Sequence, residues 1–403
     1  MAFEITVNGR VHRVDHVPTH MTLLRWLREQ GLTGTKEGCA EGDCGACTVA
    51  VVDRRHDGRT TYRAINACIA LLPAFAGREI VTVEGLRRPD GTLHPVQRAM
   101  VDAYGSQCGF CTPGFVVSML EGYYRDELER PDQVTDQLSG NLCRCTGYRP
   151  IREAMTRALE GRATDTNDPL RARLEHAPPA LGHLDYEDGP ERFLRPGTLQ
   201  ELCDAIAAHP EATLVAGATE VGVEINKKAK RFPLLVSTDA VEELRGVRRD
   251  ERGWHIGGAA TLTEIEEGIG DALPSISKML RVFASRQIRS RATLAGNLVT
   301  ASPIGDMAPV LLSLDAVVLL VRSDRPGISM RTRRVPLAEF FLGYRKTAME
   351  PGEVLALVEI PPAPAGMNRR SESYKVSKRR ELDISIVAEI GRASCRERVC
   401  PYV

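Results

Sequence analysis

The sequence has no excess of charge of either sign: Lys+Arg and Asp+Glu both number 53. That balance gives no reason to expect nucleic acid or an anionic membrane surface as a partner. Long apolar runs are also missing. Stretches such as Ala316 to Val321 fall far short of the ~20 residues a helix needs to cross a bilayer. The opening Met1-Ala2-Phe3-Glu4-Ile5-Thr6-Val7 has neither the basic region nor the apolar core of a signal peptide. A cytoplasmic protein is therefore expected. No G-x-G-x-x-G dinucleotide fingerprint and no Walker A loop occurs, so any nucleotide-containing cofactor needs another fold. What remains is a 403-residue chain with 43% hydrophobic residues, enough for two or three domains with buried cores.

What the chain does have is cysteine. It carries eleven, and eight fall into two compact groups. In a reducing compartment such groups read as metal or cluster ligands rather than disulfides. The first group lies in Gly38-Cys39-Ala40-Glu41-Gly42-Asp43-Cys44-Gly45-Ala46-Cys47, with Cys68 after twenty intervening residues. C-x4-C-x2-C with a distant fourth cysteine is the plant-type ligand spacing for a [2Fe–2S] cluster. Gly38, Gly42 and Gly45 suit a loop curled around an anionic cluster, with its N–H groups turned inward toward sulfur. Zinc usually takes two close pairs, which this triple does not supply.

The second group is Cys108 and Cys111 at C-x2-C, with Cys143 and Cys145 at C-x-C. A lone pair of either kind could be a redox dithiol or half a zinc site. Together, directly after a ferredoxin-like region, they read as a second four-thiolate site. The C-x-C spacing suits a second [2Fe–2S] cluster better than a zinc knuckle.

The surrounding pattern places these groups. Residues 3 to 17 read as a hairpin turning at Asn8-Gly9, a type I′ signal. Thr22 can cap a helix bearing Leu23, Leu24, Trp26 and Leu27, closed by Gly31. Strands are expected at Thr48 to Val52, Thr60 to Ala64 and Glu79 to Val83, with Cys68 on a short helix begun by Asn66. This small α+β unit resembles the β-grasp fold of plant-type ferredoxins. Beyond His94 the period becomes helical. Helices are expected from Pro95 to Tyr104, from an N-cap at Thr112 through Tyr123, from Asp132 to Leu138, and from Pro150 to Leu159. Each cysteine pair then sits in an inter-helix loop.

The order GCAEGDCGAC, CGFCTPG and LSGNLCRCTGYRPI resembles the iron–sulfur module of the molybdenum hydroxylases. That family includes xanthine dehydrogenases, aldehyde oxidases and carbon monoxide dehydrogenases. The resemblance covers roughly residues 1 to 160, with all eight ligand positions present. It implies that the Cys108, Cys111, Cys143 and Cys145 cluster faces a molybdopterin on a partner subunit, with Gln107 close to the pterin. The Cys39, Cys44, Cys47 and Cys68 cluster would lie further along, toward a flavin.

The second half bears out the same likeness. On its own, the strand and turn Leu214-Val215-Ala216-Gly217-Ala218-Thr219-Glu220-Val221-Gly222 is only a weak phosphate-binding signal. It is followed by FASRQIR at 283 to 289, ATLAGNL at 292 to 298 and TASPIGD at 300 to 306. These resemble the family's FAD-binding domain, which has a vanillyl-alcohol-oxidase-type α+β fold. The resemblance implies that Leu214 to Gly222 hold the pyrophosphate and that Phe283 packs near the flavin. It implies that Thr293, Gly296, Asn297 and Asp306 hydrogen-bond the cofactor, and that Leu355 and Lys375 add contacts. Phe341 to Thr347 would lie near the nicotinamide entry. For single residues the bland alternatives are a core Phe283 and a capping Asp306.

The expected architecture is therefore multidomain α+β. A ferredoxin-like domain spans 1–84 and a four-helix cluster-binding bundle spans 85–160. A linker covers 161–190 and the FAD domain 191–370, with the start of a C-terminal subdomain at 371–390. Residues 391–403 read as a foreign tail on a truncated frame, with Cys395 and Cys400 incidental and Cys203 a small buried residue. The resemblance implies a xanthine-dehydrogenase-like electron relay, with catalysis on a molybdopterin-binding large subunit. Two [2Fe–2S] clusters and FAD would pass electrons to NAD+ in purine oxidation, in a dimer of heterodimers. The alternatives are the same relay serving an aldehyde or N-heterocycle dehydrogenase, and a non-catalytic redox sensor.

Overall fold

The computed structural model describes residues 2–162, 168–366 and 368–395. The chain forms two compact units. Unit one comprises Met1–Leu194, Ala218–Leu235 and Ser285–Arg291; unit two comprises Arg195–Gly217, Val236–Ala284 and Ala292–Val403.

Unit one opens with β1 (Ala2–Val7) and β2 (Arg10–Asp15), paired antiparallel across Asn8-Gly9. Both turn residues have positive φ (50° and 76°), the geometry of a type I′ turn. Helix α1 (Leu23–Glu29) begins where Thr22 accepts a bond from the Arg25 N–H, and it buries Leu23, Leu24, Trp26 and Leu27. Strands β3 (Thr48–Arg54), β4 (Thr60–Asn66) and β5 (Glu79–Val81) complete a five-stranded sheet in the order β2-β1-β5-β3-β4. Only β1 and β5 run parallel in it. This is the expected β-grasp arrangement. Cys68 departs from expectation: it lies in the turn after β4 rather than on a helix, because β4 runs through Asn66.

Four helices follow: α2 (Pro95–Asp102), α3 (Thr112–Tyr123), α4 (Pro131–Leu138) and α5 (Arg149–Glu160). Each has a proline in its first turn, where the missing N–H costs nothing. Helix α3 is nearly all buried, from Gly114 to Tyr123, and packs against the other three and against β3. The expected cap at Thr112 is displaced by one residue. Cys111 is the N-cap, and the Thr112 hydroxyl instead donates to Ser106 Oγ at 2.8 Å.

The 161–190 segment carries a short helix, α6 (Pro169–Arg173), and strand β6 (Leu184–Asp188); residues 163–167 lie outside the described residues. Buried Asp168 caps α6 and accepts from Tyr124 Oη at 2.6 Å, which ties the segment to the bundle. Strand β7 is Glu191–Arg195.

Next in the chain, α7 (Leu199–Ala208) and β8 (Thr213–Val215) belong to unit two, and α8 (Val221–Lys228) to unit one. Cys203 on α7 is fully buried, as expected. After β9 (Leu234–Ser237), unit two builds a sheet from β10 (Val247–Asp250), β11 (Gly253–Gly257), β12 (Val317–Arg325), β13 (Ser329–Pro336) and β16 (Val354–Ile360), in the order β10-β11-β16-β12-β13. Helices α9 (Leu262–Ile269), α10 (Pro274–Val282), α12 (Leu294–Val299), α13 (Met307–Ser313) and α14 (Leu337–Phe340) share one apolar core with that sheet. The short α11 (Arg286–Arg289) belongs to unit one. Two small hairpins complete the chain: β14 (Phe341–Gly343) with β15 (Lys346–Thr347), and β17 (Asn368–Val376) with β18 (Val387–Cys395).

Strand β18 runs past residue 390 into the segment read as a foreign tail. Gly391 to Cys395 continue the strand in register with Asn368 to Glu372. Backbone pairing needs no apolar alternation, which is why the residue pattern gave no sign of it. Residues 396–403, with Cys400, lie outside the described residues. Among the described residues, no helix is long and apolar enough to cross a membrane.

Candidate metal centres

The loop from Gly38 to Cys47 carries three cysteines, and the turn after β4 brings Cys68 to them. The Cys39 sulfur lies in hydrogen-bonding reach of the Cys44 and Cys68 thiols, and Cys47 in reach of Cys68. The backbone N–H groups of Asp43 and Cys44 donate to Cys39 Sγ at 3.2 and 3.3 Å. Hydrogen bonds from the Cys44 and Cys68 thiols and from the backbone hold Cys39 below the usual thiol range. The loop is an inward-facing nest of the kind that stabilises sulfur-borne negative charge.

Glycine makes this curl possible. Gly42 and Gly45 have φ of 84° and 67°. A Cβ on Gly38 would lie 2.7 Å from Cys44 Sγ. Two residues that no local sequence signal could flag complete the setting. Asn226 on α8 donates to Ala40 O at 3.0 Å and Cys68 O at 2.7 Å, tying the ligand loop to the fourth cysteine. Lys227 donates to Cys39 O at 2.6 Å.

The second group lies at the two inter-helix loops of the bundle. Cys108 contacts Cys145, and Cys111 contacts Cys143, so each contact crosses from one loop to the other. Burial pushes the Cys111 thiol up to about 12. Against its own burial, Cys143 is lowered by the Thr146 hydroxyl, which donates to its sulfur at 3.2 Å, and by nearby N–H groups. Cys108 and Cys145 are exposed, as are Gln107 and the apolar side chains of Val101, Tyr104 and Phe110.

Among the described residues, no three His, Cys, Asp or Glu side chains gather as around a single metal ion. A binuclear cluster shares four thiolates between two irons, and each group brings four thiols together, through a chain of contacts in the first and two cross-loop contacts in the second. The donor sets therefore fit [2Fe–2S] clusters in both places.

The two cysteine loops also touch. Leu142 N donates to Cys44 O at 2.9 Å, one residue before Cys143. The approach is possible only between glycines: a Cβ on Gly45 would lie 2.3 Å from Gly140 O, and one on Gly114 would lie 2.2 Å from Gly45 O.

The residues expected at a flavin are placed differently. Leu214 to Gly217 fall in unit two and Ala218 to Gly222 in unit one. Among the described residues, the N–H groups of Ala218 and Thr219, both in unit one, have no hydrogen-bond acceptor, so they can receive an anion. In unit two, Thr293 caps α12 by accepting from Gly296 N at 3.1 Å. Asn297 Oδ1 is buried with no partner among the described residues, and such an atom suits a polar ligand. Asp306 and Lys375 pair with each other at 2.8 Å, both buried, and Lys375 also reaches Val282 O. Leu355 lies in the apolar core, and half-buried Phe283 packs against it.

Comparison with known proteins finds three matching families along the chain. Residues 5–72 match the family described as "2Fe-2S iron-sulfur cluster binding domain" and residues 82–156 the "[2Fe-2S] binding domain". Residues 187–363 match the "FAD binding domain in molybdopterin dehydrogenase". The chain is 34% identical over 446 residues to a xanthine dehydrogenase of Emericella nidulans, covering 96% of this chain and 32% of that protein. It is 34% identical over 436 residues to a xanthine dehydrogenase/oxidase of Rattus norvegicus, covering 94% and 32%. The chain thus spans about a third of the length of these curated relatives. Among solved structures, a carbon monoxide dehydrogenase from Hydrogenophaga pseudoflava matches with TM-score 0.44 and 22% identity, over 50% of this chain and 68% of that one.

Proposed function

Starting from a chain that is an iron–sulfur and FAD region of the xanthine dehydrogenase type, within the molybdenum hydroxylases, we propose that it is the electron-transfer part of a purine-oxidising enzyme. The observation that carries the proposal is the convergence of two separate cysteine quartets whose loops share a direct backbone hydrogen bond. Cys39, Cys44, Cys47 and Cys68 would hold one [2Fe–2S] cluster, and Cys108, Cys111, Cys143 and Cys145 the other. When bound, these clusters and FAD supply one-electron and two-electron chemistry between a molybdopterin-bearing partner and NAD+.

The chain's own groups do three things in this scheme. The inward N–H groups at Cys39 and the Thr146 hydroxyl at Cys143 stabilise thiolate charge. Within unit two, Asn297 Oδ1 suits a polar edge of the flavin. The exposed Cys108 and Cys145, with Gln107, Val101, Tyr104 and Phe110, form the face we assign to the molybdopterin partner. Exposed apolar side chains beside the proposed cluster site favour a protein partner over water. The purine substrate follows the names of the relatives.

The test is anaerobic addition of NADH to the purified, cofactor-loaded chain. The proposal expects flavin bleaching followed by reduction of both clusters. Flavin and clusters that stay oxidised with excess NADH would overturn the NAD+ assignment. Co-assembly with a molybdopterin subunit that oxidises an aldehyde but not xanthine would overturn the purine assignment.

A further inference from the structure

The contact between the two cysteine loops is held by a side chain from far along the sequence. Asn141 is buried and uses all four hydrogen-bonding positions of its amide. Its Nδ2 donates to Gly45 O at 2.9 Å and to Thr48 Oγ1 at 3.2 Å, one residue after Cys44 and Cys47 respectively. Its Oδ1 accepts from Ser118 Oγ at 2.6 Å and from Gln287 Nε2 at 2.8 Å. Gln287 Nε2 also donates to Ser118 Oγ at 3.0 Å.

These bonds fix which way the Asn141 amide faces. If it flipped, its NH2 would confront the Gln287 NH2, and its oxygen would confront Gly45 O. Gln287 is itself immobilised. Its neighbour Arg286 forms a fully buried ion pair with Glu121 at 2.8 Å. A Cβ on Gly140 would lie 1.9 Å from Gln287 Oε1, so no slack exists on that side. Asn141 in turn precedes Leu142, whose N–H reaches Cys44 O, and Cys143 comes next. One direct connection between the two cysteine groups is therefore a single hydrogen bond flanked by short covalent stretches, with Asn141 beside it.

We propose that Asn141 and Gln287 are positioning residues that set the spacing, and hence the electronic coupling, of the two clusters. This rests on the cluster assignment proposed above. Gln287 lies within the 187–363 match to the FAD-binding family yet packs in unit one. The flavin-associated sequence thus supplies part of the scaffold between the clusters.

The test uses the full chain, purified anaerobically with both clusters and reduced with dithionite. Low-temperature EPR reads the splitting caused by magnetic interaction of the two reduced clusters, and a redox titration reads their midpoint potentials. Gln287→Leu is expected to keep its iron but to change the splitting and shift at least one potential. Ser118→Ala, which leaves the Gln287–Asn141 bond in place, is expected to give a smaller change in the same direction. A merely structural role would lower thermal stability without moving either readout. Gln287→Leu with full iron and wild-type splitting and potentials would overturn the proposal. If Gln287→Leu loses iron, Ser118→Ala decides, and an unchanged splitting there would overturn it. A wild-type chain that binds no second cluster would remove the cluster assignment itself, which the iron count distinguishes.

Discussion

In unit one the side chains expected to hold cofactors already face one another. In unit two most of their counterparts are engaged with the protein: Thr293 caps a helix, Leu355 fills the core, and Asp306 pairs with Lys375, while Asn297 Oδ1 has no partner among the described residues. The contrast follows from the chemistry of the two ligand types. Thiolates bound to iron must converge from a fixed set of positions, so their spacing is written into loops and turns. Flavin contacts are dispersed hydrogen bonds, each from a residue type that also has ordinary structural work. A cysteine quartet is thus recognisable as a candidate cluster site by its spacing, whereas a candidate flavin contact has the same appearance as an ordinary cap or ion pair.

Breaking one member of each set should expose this difference. The largest effect is expected from Cys111→Ser: loss of one cluster, half the iron and one of two EPR signals, with the remaining signal kept but without its interaction splitting. Second is Asp306→Ala, which leaves the Lys375 ammonium buried and unpaired. It should cost about 3–5 kcal/mol of stability in denaturant unfolding, with or without added FAD. If stability falls only in the FAD-loaded chain, Asp306 belongs to the ligand rather than to the fold. Third, Gly140→Ala must displace Gln287 and is expected to cost about 1–3 kcal/mol by the same measurement, while the iron count stays near wild type. The smallest effect is expected from Thr293→Ala, about 1 kcal/mol for a lost helix cap, read as a small drop in thermal midpoint. A much larger loss of FAD affinity in that variant would mark Thr293 as a direct cofactor contact.

Much of unit one was legible from residues alone. The Asn8-Gly9 turn, the Thr22 cap and the proline-led helices rest on interactions local in sequence, and both cysteine groups were marked by the spacing of their motifs. The misses there were boundary effects. Strand β4 ran two residues further and took Cys68 off its expected helix, and Cys111 rather than Thr112 capped α3. Asn226, Lys227 and Gln287 were not legible as neighbours of the cysteine loops, because they lie well over a hundred residues from the groups they contact. Their side chains acquire meaning only when the chain returns to unit one. The continuation of β18 through Cys395 was hidden for a different reason: it rests on main-chain pairing with β17, which leaves no side-chain pattern.

The most direct test of the account is native mass spectrometry of the anaerobically purified chain, together with its Cys111→Ser variant. The account predicts a wild-type mass carrying two [2Fe–2S] clusters and one FAD, and a variant lighter by one cluster with its FAD retained. A chain carrying zinc, or one bearing free thiols after reconstitution with iron and sulfide, would contradict it.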